Sequence, residues 1–229
     1  SPSSTLYGQY QNIALGDDTE PFIFGDTTSS YFYALSVERA RYKESLAVGT
    51  MALTLSGSGG TQPITLTDNS KVSTGNVFGN AGRVFQIVSG SEGAVFTGFD
   101  TNGYSSNGSY GLFLPDVGLI LLNGLALDGN TANRGISLGT GRNSNQNDTN
   151  TGKLFASLSG SIFATGKTFR LNSQETLASD FYFVRAQNSE FNYSSNPSFV
   201  SGSTGQLLWD TMQNNPQTFI TTVGLYNDS

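Results

Sequence analysis

Apolar residues in this chain never run far before the backbone is made to turn. The longest such stretch, Val117-Gly118-Leu119-Ile120-Leu121-Leu122, is strand-sized and is bounded by Pro115-Asp116 and Asn123-Gly124. Shorter runs repeat the pattern. Bulky aromatic and β-branched side chains pack well on a half-buried pleated surface. Asn, Ser, Gly and Pro offer the backbone side-chain bonds or fixed dihedrals in place of a ladder. A chain punctuated in this way is expected to be all-β: an antiparallel, sandwich-like domain with long Gly/Asn/Ser-rich loops and one or two short helices.

The pattern is strongest near the C-terminus. Asp180-Phe181-Tyr182-Phe183-Val184-Arg185 opens as an aromatic strand and dissolves into Asn188-Ser189 and Ser194-Ser195-Asn196-Pro197. A second run, Gln217-Thr218-Phe219-Ile220-Thr221-Thr222-Val223-Gly224-Leu225-Tyr226, ends in Asn227-Asp228. The two read as neighbouring strands of one sheet. Gln206 to Met212, with the only tryptophan, Trp209, reads as a short amphipathic helix crossing between them.

In chain order, residues 1–21 read as an extended N-terminal arm and residues 22–229 as one β-rich structural domain. Strands are expected at Phe22–Phe24, Tyr31–Val37, Thr50–Leu55, Ile64–Thr67, Arg83–Ser89, Ala94–Thr97, Gly111–Leu114 and Val117–Leu122. A helical turn is expected at Leu122–Asp128. Gly57-Ser58-Gly59-Gly60 breaks one strand and Asp68-Asn69 closes the next. Residues 129–152 form a long Gly/Asn/Thr/Arg insertion, a mobile tip or a contact arm. Lys153–Leu158, Ser161–Ala164 and Lys167–Leu171 resume the strands. The one charge cluster, Glu38-Arg39-Ala40-Arg41-Tyr42-Lys43-Glu44, has helical i,i+4 spacing. It reads as a solvated turn, with an inter-subunit ion-pair site as the alternative.

Composition narrows the chemistry more than the fold. Histidine and cysteine are both absent. That removes Ser-His-Asp and Cys-His catalysis, imidazole and thiolate metal sites, and disulfides. Charged residues make up 12%, about half the usual share. The net charge of −6 and a pI of about 4.5 argue against binding a phosphate backbone. No stretch approaches the roughly 20 apolar residues of a membrane-spanning helix. The chain begins at Ser1 rather than Met, which reads as a processed or partial product.

Candidate sites stay weak. Gly135, Gly139 and Gly141 match neither a dinucleotide nor a phosphate-loop fingerprint. Asp100-Thr101-Asn102-Gly103 opens like a calcium loop but lacks the later bidentate Glu. Asn107-Gly108-Ser109, Asn147-Asp148-Thr149 and Asn192-Tyr193-Ser194 fit the glycosylation pattern in an Asn/Ser-rich chain. Seventeen acidic residues are scattered along the chain, most of them singly, so no carboxylate pair for glycoside hydrolysis stands out. The expected catalytic, cofactor and metal residues are therefore none.

Phe181-Tyr182-Phe183-Val184-Arg185, Phe191-Asn192-Tyr193-Ser194-Ser195-Asn196-Pro197-Ser198-Phe199 and Ile220 to Asp228 together resemble a module of large virion structural proteins of T4-like marine myophages, cyanophages especially. Glu38 to Glu44 and Gly82 to Ser91 fit the same resemblance, which covers most of the chain. It implies a non-enzymatic virion protein of the tail, baseplate or an appendage, without cofactor. Its partners would be other virion proteins and further copies of itself, with neither nucleic acid nor membrane. The alternatives are a head decoration protein, a receptor module binding a host glycan, or a secreted surface-layer or adhesin module. In the resembled proteins the Gly-Leu-Tyr-Asn-Asp turn leads into another apolar strand. Here the chain stops at Ser229, so a sheet edge open to strand addition is expected.

Overall fold

The computed structural model describes residues 2–58, 61–78, 81–98, 100–143, 146–165, 169–185 and 187–226. Gly59-Gly60, the Ser144-Asn145 centre of the long insertion, Lys167 and the Asn227-Asp228 turn lie outside the described residues. The chain divides into two compact units, Ser1–Thr176 and Leu177–Ser229, where one domain from residue 22 onward was expected.

The first unit is the β domain. Its strands are β1 (Ile23–Phe24), β2 (Thr27–Thr28), β3 (Phe32–Ser36), β4 (Ser45–Leu46), β5 (Ala52–Leu55), β6 (Ile64–Asp68), β7 (Asn76–Phe78), β8 (Gly82–Ser91), β9 (Ala94–Val95), β10 (Gly111–Leu114), β11 (Leu119–Asn123), β12 (Phe169–Arg170) and β13 (Ser173–Gln174). Its helices are α1 (Pro2–Leu15), α2 (Gly124–Asp128) and α3 (Asn147–Thr165). Nine strands form one curled antiparallel sheet in the order β12-β5-β6-β8-β10-β11-β3, with β7 and β9 also paired to β8. The all-β, antiparallel, sandwich-like class read from the sequence is the observed one.

Successive side chains on a strand point to opposite faces, and the sheet uses both. Along β11, Ile120 and Leu122 enter one core while Leu119 and Leu121 enter the other. Along β10, Phe113 joins the first and Leu112 and Leu114 the second. The first core is closed by Leu127 of α2, Ile136, Leu138 and Leu154 of α3. The second is closed by Ala14 of α1 with Phe22 and Phe24. This two-sided burial is why Leu119-Ile120-Leu121-Leu122 is apolar without alternation.

Turn chemistry fixes the register. Gly118, at φ +70°, turns β10 into β11, so that Leu114 meets Leu119 and Gly111 meets Leu122. A side chain there would strike the Tyr42 ring, 2.8 Å away. Asn123 ends β11 and caps α2: its side chain accepts the Leu125 N–H at 3.1 Å. Its amide donates to the carbonyls of Asn107 (3.1 Å) and Ser109 (2.9 Å), so a fully buried amide is left satisfied.

Three expectations need correction. The N-terminal arm is not extended: α1 spans most of it. Tyr7, Tyr10, Gln11 and Ala14 recur at helical spacing and face the sheet, Pro2 opens the helix, and Gly16 at φ +76° ends it. Tyr7, Tyr10 and Phe22 pack around Phe32 at ring separations of 5.0–5.6 Å. Next, the strands expected at Lys153–Leu158 and Ser161–Ala164 are the helix α3. Leu154, Ser157 and Leu158 share one helical face against the sheet, and the segment has few β-branched residues. Ser56 and Ser157 clasp it there, each hydroxyl donating to the other's carbonyl at 2.7 Å.

The third correction concerns the second unit. Among its described residues only α4 (Asn188–Phe191), α5 (Thr211–Asn214) and an isolated bridge, Val200 to Leu207, are regular. The runs expected as neighbouring strands, Asp180–Arg185 and Gln217–Tyr226, carry no ladder. The helix expected at Gln206–Met212 is shifted to α5. Trp209 instead donates its indole N–H to the Ser198 carbonyl at 3.2 Å. β-propensity is a fit to a pleated surface with neighbours rather than a property of an isolated segment.

Candidate functional site

Among the described residues no group of three or more Asp and Glu converges as a metal site would require. A polar constellation of the first unit lies where the long insertion returns to the sheet. Asp128 accepts the Thr140 N–H (2.8 Å) and hydroxyl (2.7 Å) on one oxygen and the Tyr31 hydroxyl (3.2 Å) on the other. The Tyr33 and Thr140 hydroxyls are 2.7 Å apart. Arg142 donates to the Tyr31 hydroxyl at 2.7 Å and lies over its ring at 4.4 Å.

Burial, reinforced for Tyr31 by the Asp128 charge, pushes both phenols up, so they act as neutral donors. One face of the Tyr31 ring bears Arg142. A Cβ on Gly124 would lie 2.5 Å from that same ring. The ring is thus a bolt rather than a stacking platform for a ligand. Deeper in, burial pushes the Tyr110 phenol up to about 12, and its hydroxyl donates to the Arg134 carbonyl at 2.7 Å.

Two further carboxylates are engaged in the same structural way. Asp68, fully buried, accepts the Gly49 N–H on both oxygens at 2.9 Å and the Ser70 N–H at 3.2 Å. Asp116 takes a forked interaction from Arg83, with contacts of 2.6 and 3.2 Å, and the Arg83 backbone N–H at 2.8 Å. Partial burial raises the Asp116 carboxyl, but the hydrogen bonds from Arg83 outweigh it and leave the carboxyl lowered. These acids pin loops to strands.

The sequence motifs resolve into local structure. Asp100 accepts the Asn102 N–H at 2.8 Å in a turn. Gly135 is needed because its backbone lies against Gly129, where a Cβ would meet the Gly129 carbonyl oxygen at 2.0 Å. Asn107 of the first glycosylation pattern donates its amide to the Leu125 carbonyl at 3.2 Å. In the charge cluster, Arg39 to Arg41 form a single exposed 3-10 turn. Arg39 stacks on Tyr42 at 4.6 Å, Arg41 pairs with Glu38 at 3.4 Å and Lys43 with Glu175 at 3.2 Å. The solvated-turn reading describes this geometry.

The second unit presents the opposite situation. Phe181, Phe183, Phe219 and Tyr226 are each more than 80% exposed, and Phe183 is 99% exposed. Tyr182 and Val184 of the first run and Ile220, Val223 and Leu225 of the second line one shallow apolar groove of about 520 Å³. The two runs therefore share a groove, where neighbouring strands of one sheet were expected, and have no ladder. Exposed apolar surface on this scale marks interaction sites in folded proteins. A second groove, about 210 Å³ beside Ser56, Ser58 and Lys153, is below the usual size for a small-molecule site. No family model, no curated protein and no solved structure matches the chain.

Proposed function

We propose that this protein is a non-enzymatic structural component of a tailed-phage particle, placed in the tail, baseplate or an appendage, and that it works by assembly. One observation carries the reading: strand-length runs rich in aromatic and β-branched residues, Phe181–Val184 and Phe219–Tyr226, stand exposed on a unit that gives them no ladder. Such runs gain backbone partners and bury apolar surface when a neighbouring subunit supplies a strand or a face. The resemblance of these same residues to a myophage virion module supplies the setting. The carboxylates Asp68, Asp116 and Asp128 support a non-catalytic role, because each holds the fold together.

Antibody labelling and imaging of intact particles test this. Labelling on the tail or baseplate is the expected result, and labelling of the head shell points instead to decoration. Absence of the chain from purified particles overturns the proposal. So does polysaccharide turnover by the purified protein that is abolished by a single carboxylate replacement with the fold intact.

A further inference from the structure

We infer that the protein pairs with a second copy of itself through the β3 edge, forming one continuous antiparallel sheet across a two-fold axis. The two ends of the sheet are built differently. β12 is a two-residue edge whose Arg170 is paired with Glu92 at 2.8 Å, the kind of short, charged edge that discourages pairing. β3 is a five-residue edge, and from Tyr31 to Val37 it carries neither a charge nor a proline. No strand lies beyond it among the described residues.

Backbone parity shows what the edge offers. Val37 donates to the Gly118 carbonyl at 2.9 Å, so Val37, Leu35 and Tyr33 are the residues bonded to β11. The Asn123 N–H, opposite Phe32, donates away from β3 to the Tyr110 carbonyl at 2.8 Å. The N–H and C=O of Phe32, Ala34 and Ser36 therefore face the open edge.

That pattern complements itself. With the axis at Ala34, Ala34 meets Ala34 of the second copy, and Phe32 of each copy meets Ser36 of the other. Each of these pairs exchanges two bonds, about six in all. Leu35 of each copy then lies opposite Tyr33 of the other, a favourable aromatic–aliphatic pair. Glu38 falls opposite Ser30, so no like charges meet. Ser36 is exposed and Ala34 and Leu35 are half-buried, leaving room for the added strand. An isologous contact of this kind closes at a dimer.

The inference goes beyond the assembly role by naming the strand and the partner. Its outcome is separate from particle location, since either can hold alone. The test uses the full chain. Light scattering is expected to give twice the 24.3 kDa chain mass. Ala34→Pro, which removes only an edge-facing N–H, is expected to return the mass to that of one chain with an unchanged circular-dichroism spectrum.

Because the chain has no cysteine, single replacements report the register even if the proline variant misfolds. Ala34→Cys, about 5.5 Å from its counterpart, is expected to form a covalent dimer on oxidation with diamide. Ser36→Cys, facing Phe32, is expected to remain uncrosslinked. A monomeric wild type, a dimer that survives in folded Ala34→Pro, or equal crosslinking of the two cysteine variants overturns the inference.

Discussion

β11 and the run Phe219–Tyr226 are written in the same residue alphabet and meet opposite fates. Leu119 to Leu122 lie between two partner strands and under two covering layers, and three of the four are fully buried. Ile220 and Val223 are about half exposed, and Phe219, Leu225 and Tyr226 more so. The lesson is that a strand is a relation between segments. Its backbone groups need a neighbour's, and its side chains need a surface on both sides of the bond.

The largest measurable consequence is in amide exchange. Protection of β8, β10 and β11 should exceed that of residues 219–226 by at least about a thousandfold, since core strands open only with global unfolding. Comparable protection of the two regions in the purified protein would erase the contrast. Within the first unit, Phe113→Ala removes a side chain buried at the centre of the sheet and should cost about 3–5 kcal/mol in denaturant unfolding. Phe183→Ala, on a 99% exposed side chain, should stay within about 0.5 kcal/mol, unless a partner is present to cover it.

Charge gives a finer comparison. Asp68→Ala strands the Gly49 and Ser70 N–H groups and should cost about 2–3 kcal/mol. Asp116→Asn, at a partly exposed pair, should cost about 1 kcal/mol and carries a pH signature. The folded Asp116 carboxyl is lowered from 3.8. Its contribution is therefore fully present above that value and is lost as pH falls through the folded value. The gap between wild type and variant should thus begin to close as pH falls below about 4 and vanish once it lies below the folded value. A gap that widens on acidification would show that Arg83 does not set the titration.

Much of the first unit was legible. The turns Pro115-Asp116 and Asn123-Gly124 bracketed β11 to within two residues, the turn running on through Val117-Gly118, and Asp128 closed the expected helical turn. Residues 2–15 and 147–165 were misread because their helical signal lies in few, weakly apolar contacts: Tyr7, Tyr10, Gln11 and Ala14 in one, Leu154, Ser157 and Leu158 in the other. Only a covering role over an apolar sheet makes those spacings count. Nothing local marked Asp68 or Asp128 as anchors, because their partners at Gly49 and Thr140 are distant along the chain or reached only after the insertion has folded back.

By itself the sequence determined the class: short apolar runs separated by turns favour antiparallel strands over long helices, and without imidazole or thiol no His- or Cys-dependent triad or metal site can form within the chain. Tertiary structure alone decided which of those runs became strands. That choice depends on whether another segment lies 4.7–4.9 Å away to accept its hydrogen bonds, and no property of a run taken alone contains that distance.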